Sequence, residues 1–159
     1  MNPLMSKEEI NRDDDRLLEE AVAMLKKSGH RVTQPRIAIL KALISEKGPI
    51  KIEDIHRRVS DRNCDLATVY RCIGAFEKIG IVRRCFFPDG SSLFEFIVGG
   101  DHHHHIICTS CRKVETIDVC VVDGLERLVH NRGYRNVSHM LEFFGVCEDC
   151  AQSEDGKTD

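Results

Sequence analysis

The stretch LATVYRCIGAFEKIGIV, residues 66–82, decides the fold because a helical pattern within it changes abruptly to a strand pattern. Its apolar residues recur at three- and four-residue intervals, the spacing of one helix face. These residues are Leu66, Val69, Ile73, Phe76 and Ile79. Asp65 is a typical N-cap and Gly80 is a typical helix terminator. The spacing therefore predicts a helix over residues 66–79 with a polar opposite face.

A β-hairpin is predicted directly after this helix. Two strand-like segments, residues 81–87 and 91–98, flank a Pro-Asp-Gly turn. Proline presets φ in such a turn, and glycine accepts a positive φ. Apolar periodicity upstream predicts three more helices, over residues 13–28, 34–45 and 52–60. Residues before the first of these are polar and are predicted to be poorly ordered.

The chain is predicted to divide at Gly99-Gly100, which has the composition of a hinge. Helices followed by a hairpin are the element order of a winged helix, to which we assign residues 1–98. Residues 101–159 are predicted to form a small α/β domain whose tail, 151–159, is acidic and partly disordered. Its predicted elements are strands over 104–108, 113–117 and 137–144 and a helix over 121–131. The predicted fold class is therefore α+β.

Charge is distributed unevenly along the chain. The net charge is −3, yet residues 30–84 hold 12 Lys and Arg against 6 Asp and Glu, and the remainder holds 11 against 20. Such a split is typical of a protein with a basic binding surface, although two ordinary solvated surfaces would also give it. No stretch approaches the ~18 consecutive apolar residues of a membrane span, and the N-terminus has no signal-peptide pattern. A soluble cytoplasmic protein is predicted.

Four of the eight cysteines form two CxxC pairs. Each pair points two thiolates at one centre, and two pairs complete a tetrahedral Cys₄ zinc site without an open position, which makes the site structural. A redox CxxC is the alternative, but redox motifs usually occur singly within a thioredoxin-like pattern. The remaining cysteines are predicted to be small buried apolar residues. They are Cys64, Cys72, Cys85 and Cys120.

Four consecutive histidines, residues 102–105, lead into the first CxxC pair. Side chains alternate along a strand, so alternate members of the run face opposite ways and can supply two metal sites. Glu95 from the hairpin and His139 from a later strand are candidate further ligands. Mixed His and carboxylate donors suit Zn²⁺, Fe²⁺, Mn²⁺ or Ni²⁺. A solvated polar turn or an affinity-tag remnant is the alternative interpretation.

Taken together, these motifs resemble the ferric uptake regulator family of bacterial metal-responsive repressors. The resemblance extends over roughly residues 15–150 and rests on five segments. They are GHRVTQPRIAIL, LATVYRCIGAFEKIGIV, FEF, HHHHIICTSC and SHMLEFFGVCEDC. It implies an N-terminal winged-helix DNA-binding domain and a C-terminal α/β dimerisation domain with a Cys₄ zinc site.

By position, the resemblance also implies three metal sites. They are one structural zinc per subunit, one regulatory divalent ion between the domains, and a further ion in the dimerisation domain. The regulatory ion is expected to be Fe²⁺ or Zn²⁺, with Mn²⁺ as a further option. The residues that match the structural zinc site are Cys108, Cys111, Cys147 and Cys150. Those that match the regulatory site are Glu95, His103 and His105. Those that match the further site are His102, His104, His139 and the candidate Asp123.

Three positions depart from the family pattern. Pro49 stands where a regulatory His often precedes the third helix, and Thr116 stands where an acid is expected after the first CxxC. Val122 stands where the site in the dimerisation domain usually has an acid. Two other positions bear on the metal. Glu95 favours the iron-sensing branch over the peroxide-sensing branch, which prefers Asp at this position. Cys120, which follows the first CxxC pair, resembles a cysteine of zinc-sensing members.

The resemblance makes the fourth helix a recognition helix for the DNA major groove. Arg71 can then bind guanine through two hydrogen bonds, and Tyr70 can pack on a thymine methyl. Thr68 and Lys78 are expected to contact phosphates, which position the protein. Arg31 resembles the family's basic residue that enters an A·T-rich minor groove. The alternative is an ordinary solvated charged helix face.

The implied function is metal-dependent repression of metal uptake or homeostasis genes by a homodimer bound to palindromic double-stranded operators. A regulatory ion held by both domains would fix the angle at Gly99-Gly100 and thus the spacing of two recognition helices, which is a population shift. Iron is the predicted metal, a zinc-sensing regulator is the alternative, and a peroxide sensor is less favoured. No membrane or small-molecule partner is expected.

Two other classes of function fit less well. A zinc hydrolase or deaminase needs an open zinc position and a nearby Glu acid–base. The Cys₄ set is closed, so no catalytic residue is predicted. A zinc-buffering or interaction module without DNA binding is the second class, and it predicts that Arg71→Ala leaves transcription unchanged.

Overall fold

The computed structural model describes residues 7–46, 48–60, 64–87, 90–99, 103–117, 119–120, 122–137, 139 and 141–155. The chain forms two compact units, residues 1–100 (unit 1) and 101–159 (unit 2). Unit 1 combines helices with a two-stranded hairpin, and unit 2 combines a three-stranded sheet with helices. The predicted α+β class is confirmed. No helix in the described ranges has the length and hydropathy needed to cross a membrane.

Unit 1 follows the predicted element order. Its elements are α1 Lys7–Lys27, α2 Gln34–Glu46, α3 Ile52–Val59, α4 Leu66–Lys78, β1 Val82–Phe86 and β2 Ser92–Phe96. The two strands pair antiparallel, with Arg83 opposite Glu95 and Cys85 opposite Leu93. Pro88 and Asp89 of the predicted turn lie outside the described residues.

The core of unit 1 is built on the apolar face of α4. Val69, Ile73 and Phe76 are fully buried in it, as the spacing predicts. Leu66 was predicted on the same face but is 38% exposed. Helix side chains lean toward the N-terminus, so the Leu66 side chain projects beyond the first turn. Cys72, predicted to be buried, is 6% exposed and completes this face.

Asp65 caps the N-terminus of α4, as predicted. Its Oδ1 accepts a hydrogen bond from the backbone N–H of Thr68 at 2.7 Å. Hydrogen bonding to Thr68 holds the pKa of the Asp65 carboxyl below its usual value, and nearby Arg71 lowers that pKa further. The capped end fixes the first turn of α4, which carries the polar residues of its exposed face.

Unit 2 is organised around one central strand. Its elements are β3 His104–Cys108, β4 Val114–Ile117, α5 Asp123–Asn131, β5 Glu142–Gly145 and α6 Glu148–Asp155. The sheet order is β4-β3-β5, with β3 antiparallel to β4 and parallel to β5. Along β3 only Ile106 is exposed. The other four side chains of this strand are buried.

Two predicted boundaries were wrong. The first helix begins at Lys7, within the segment that was predicted to be poorly ordered. Arg16 pairs with Asp13 and with Glu20 in this helix, both at 2.8 Å, and such i,i+3 and i,i+4 pairs stabilise a helix. The last strand is β5, shorter than the predicted 137–144. In the tail that was predicted to be partly disordered, the chain is helical to Asp155.

Gly99 is confined to glycine by its surroundings. Its φ is +67°, and a Cβ there would lie 2.7 Å from Leu17 Cδ2 of α1. A side chain at this position would meet both backbone strain and a steric clash. Gly100, the other half of the predicted hinge, lies outside the described residues.

Candidate metal centres and nucleic-acid interface

The two CxxC pairs converge at one end of unit 2. Cys108 ends β3, and Cys147 and Cys150 flank the start of α6. The four sulfur atoms, including that of Cys111, all lie within 4.8 Å of one another. The Cys111 and Cys147 sulfurs are 3.7 Å apart. Tetrahedral zinc with Zn–S bonds of about 2.3 Å requires sulfurs about 3.8 Å apart, so the cluster could hold a zinc ion.

The local backbone prepares this cluster for anionic sulfur. Cys108 Sγ accepts hydrogen bonds from the backbone N–H groups of Cys111 at 3.5 Å and Cys147 at 3.3 Å. These bonds, that from Cys111 first, lower the pKa of the Cys108 thiol to about 6. Hydrogen bonding with the neighbouring thiols, Cys147 first, raises the pKa of Cys150 to about 12. A divalent cation would remove this conflict, because it stabilises all four thiolates.

Glu95 is buried on the hairpin of unit 1. Its side chain is 4% exposed, and its Oε2 lies 2.6 Å from Arg83 Nη2 on the paired strand. Cys85 is fully buried, as predicted, and its sulfur lies within 4.8 Å of a Glu95 carboxylate oxygen. Sequence reasoning missed Cys85 as a candidate ligand. The signal was available, since residues 83 and 85 share one face of β1 and Glu95 is opposite Arg83.

Successive side chains of the histidine run point to opposite sides, as they do along a strand. The rings of His103 and His105 meet edge to face with centroids 5.0 Å apart. The ring of His104 instead lies 5.2 Å from that of His139. His104 and His105 are both buried, at 2% and 1% exposure. His102 lies outside the described residues, so the structure bears only on the other members of the run.

A second donor cluster in unit 2 contains His104, Cys120 and His139, whose ligand atoms lie within 4.8 Å of one another. Cys120 Sγ is 3.5 Å from His139 Nε2. Cys120 was predicted to be a buried apolar residue, but it is half-buried in this polar cluster. Glu126 on α5 was not singled out from sequence, yet its Oε1 lies 2.5 Å from His139 Nδ1. The side chain of the candidate Asp123 is outside the described residues.

The exposed face of α4 carries the residues predicted to contact DNA. Tyr70 is 51% exposed. Arg71 is exposed, and its Nη2 donates to Thr68 Oγ1 at 2.8 Å. Lys78 is exposed at the C-terminal end of the helix. These side chains reach solvent from a helix that is rigidly packed on its other side.

Arg31 joins this face across a shallow concavity of about 400 Å³. The concavity lies between the α1–α2 loop and the start of α4, and it is lined by Arg31, Thr68 and Arg71 together with Arg36. Sequence reasoning missed Arg36, although it belongs to the quoted GHRVTQPRIAIL segment. Its Nη1 donates to the Arg31 carbonyl, which holds the loop against α2. Three guanidinium groups around one concavity have the charge and the donors to bind a phosphate.

Comparison with known proteins agrees with these features. The model of the ferric uptake regulator family matches residues 27–144. The chain belongs to the ferric uptake regulator family. The peroxide-responsive repressor PerR of Staphylococcus epidermidis is 35% identical over 141 residues, covering 87% of this chain and 93% of that protein. The ferric uptake regulation protein of Neisseria meningitidis is 35% identical over 133 residues, covering 81% and 92%.

A solved structure supports the fold as well. The ferric uptake regulator of Vibrio cholerae matches with a TM-score of 0.65 and 32% identity, covering 77% of this chain and 96% of that chain. The expected family and its winged-helix and dimerisation-domain architecture are confirmed. The chain is thus a metal-responsive regulator of this family. Its relatives carry both iron-uptake and peroxide-response names, so the comparisons leave the sensed metal open.

Proposed function

We propose that the chain is a metal-dependent transcriptional repressor that binds palindromic A/T-rich operators as a homodimer in the cytoplasm and controls metal uptake or homeostasis genes. The observation that carries this proposal is the exposed polar face of α4. Tyr70 and Arg71 can contact base edges there, while Thr68 and Lys78 can contact phosphates. Arg31 is proposed to enter the minor groove. The chain acts as a regulator in this proposal, with no catalytic residue and no small-molecule substrate.

Dimerisation is proposed through the apolar surface of unit 2. Leu125 and Leu128 on α5 are 59% and 51% exposed, and Phe143 on β5 is 42% exposed. β5 is also an edge strand. Exposed large apolar side chains on a small unit are typical of a surface that a partner covers. A second copy of the same chain is the proposed partner, and two copies of α4 then read the two halves of a palindrome.

The regulatory ion is proposed to be Fe²⁺, bound by Glu95, His103 and His105. The oxygen donor and the two imidazoles suit a first-row divalent ion. The Cys₄ cluster is proposed to hold the structural zinc, one per chain. The further site that the resemblance implies is assigned to His104 and His139, with His102 and Asp123 as candidate ligands outside the described side chains. Zinc as the sensed metal is a second candidate, which the thiol of Cys120 favours.

Operator binding tests the proposal. DNA is selected from a random duplex pool with the metal-loaded protein, and its affinity is then measured after regulatory metal is chelated and the Cys₄ zinc retained. Coupling free energies of about 1–3 kcal/mol predict an affinity loss of roughly 5- to 150-fold, restored by Fe²⁺. Restoration by Zn²⁺ alone supports the second candidate. An affinity that does not change on chelation contradicts metal-dependent binding.

Two variants sharpen this test. Glu95→Ala and His105→Ala are expected to abolish the response to added metal, because each removes a proposed ligand of the regulatory ion. His130→Ala is the matched control, since His130 is an exposed histidine of α5 whose Nδ1 lies 3.1 Å from the Tyr134 carbonyl. The control is expected to respond like the unaltered chain. A protein that selects no duplex at all would instead be a zinc-buffering or interaction module.

A further inference from the structure

The second donor cluster of unit 2 has the geometry of a built metal site. Cys120 Sγ and His139 Nε2 are 3.5 Å apart. With Zn–S bonds of about 2.3 Å and Zn–N bonds of about 2.0–2.1 Å, two ligands of a tetrahedral zinc lie about 3.5 Å apart. The observed separation is therefore the one that a shared ion requires. A ligand atom of His104 lies within 4.8 Å of those of both Cys120 and His139.

Both histidines are held by their outer nitrogens. His139 Nδ1 lies 2.5 Å from Glu126 Oε1, and His104 Nδ1 lies 3.2 Å from the Leu141 carbonyl. Each acceptor favours the tautomer with hydrogen on Nδ1, which leaves the lone pair on Nε2. Metal-binding histidines usually donate their other N–H to a carboxylate or a carbonyl, and this contact fixes the ring. Glu126 and the Leu141 carbonyl occupy those outer positions.

We propose that Cys120 Sγ, His104 Nε2 and His139 Nε2 bind a thiophilic divalent ion, Zn²⁺ in the cell, and that Glu126 orients His139 without binding the ion. This inference rests on the proposed function only in taking the further site of unit 2 as a metal site. It replaces an all-nitrogen-and-oxygen ligand set with one that includes a thiolate. Thiolate donors favour Zn²⁺, whereas Mn²⁺ prefers oxygen donors. These three donors, taken from the described residues, leave one tetrahedral position for a further ligand.

Cobalt spectroscopy tests the ligand set directly. The full chain is prepared with zinc retained in the Cys₄ cluster, and Co²⁺ is then titrated into it. A sulfur-to-cobalt charge-transfer band that grows with this added cobalt is expected, together with the visible bands of tetrahedral cobalt. Zn²⁺ is expected to abolish the band and Mn²⁺ to leave it. A cobalt complex without the charge-transfer band would overturn the proposal.

Variants separate the role of each residue. Cys120→Ser is expected to lose the charge-transfer band, whereas Cys64→Ala keeps it, because Cys64 is a buried thiol of unit 1. Glu126→Ala is expected to keep the band at saturation but to bind cobalt about 10- to 100-fold more weakly. Glu126→Gln is expected to recover part of that loss, because its amide oxygen still accepts from Nδ1–H. Unchanged affinity in Glu126→Ala would refute the positioning role.

A measurement on the unaltered chain guards against variants that do not fold. Zinc beyond the Cys₄ equivalent is expected to protect Cys120 from alkylation, as read by peptide mass spectrometry, and equal labelling with and without it contradicts the site. Neither experiment contains DNA. Metal-independent operator binding with an intact cobalt band refutes the proposed repressor mechanism alone. Metal-dependent operator binding without that band refutes this ligand set alone.

Discussion

Arg71→Ala gives the sharpest test of DNA recognition. Arg71 projects from the exposed face of α4, and its side chain is steadied by the 2.8 Å bond to Thr68 Oγ1. A two-hydrogen-bond contact to guanine contributes about 1–3 kcal/mol of discrimination. Its loss corresponds to roughly 5- to 150-fold weaker binding for each half-site. A homodimer on a palindrome loses it twice, or about 2–6 kcal/mol if the half-sites act independently.

The assay is fluorescence anisotropy of the selected operator and of a scrambled duplex at several salt concentrations. Arg71→Ala is expected to weaken operator binding far more than scrambled-duplex binding. Lys78→Ala is expected to weaken both equally and to reduce the salt slope by about two, because one phosphate contact is lost in each subunit. Arg57→Ala removes the same charge from α3, where Arg57 pairs with Asp54 at 2.9 Å and is 77% exposed. If Arg71→Ala behaves like Arg57→Ala, the assignment of α4 as the reading helix is refuted.

Three further predictions concern stability and assembly. Cys150→Ser, or strong chelation, is expected to unfold unit 2, because metal binding and folding are coupled in small units that a metal ion holds together. Unit 1 is expected to keep its helical circular dichroism. A zinc-free chain in which unit 2 keeps its native structure would contradict this. Leu128→Lys is expected to shift the dimer toward monomer in analytical ultracentrifugation. Val32→Lys, the control, makes a similar change at a 39% exposed residue of unit 1 and is expected to leave the dimer unchanged. Unaltered association of Leu128→Lys would exclude α5 from the interface. The pKa of Asp65 is lowered in the folded state, so its stabilising contribution is present above the ordinary Asp pKa of about 3.9 and is lost as pH falls through the folded value. The difference in unfolding free energy between the unaltered chain and Asp65→Ala, measured in urea, should therefore shrink in acid. A difference independent of pH would show that the charge contributes nothing.

Local signals in the sequence were sufficient for the elements that carry the recognition face. The cap at Asp65 and the apolar spacing up to Phe76 are properties of one continuous segment, and α4 forms where they predict it. The CxxC spacing similarly brings two sulfurs together without knowledge of the rest of the fold. Both features depend on contacts within a few residues, which is why they can be read from the chain.

Features that depend on distant partners could not be predicted in the same way. β5 is short because its partner β3 offers only five residues, and the pairing runs from His105 opposite Glu142 to Cys108 opposite Gly145. The contacts among Cys120, Glu126 and His139 join residues that follow no recognised spacing. Such contacts appear only when a helix and a loop are packed against a particular strand.

The five-residue strand β3 carries donors that alternate by side, and it ends in a cluster sulfur, that of Cys108. A slip of one residue in its pairing would send every side chain to the opposite face, exchanging His104 with His105. An ion bound in the Cys₄ cluster would hold Cys108 at the end of the strand and so oppose the slip. Zinc supply during synthesis would then favour the pairing that presents each histidine on its proper side.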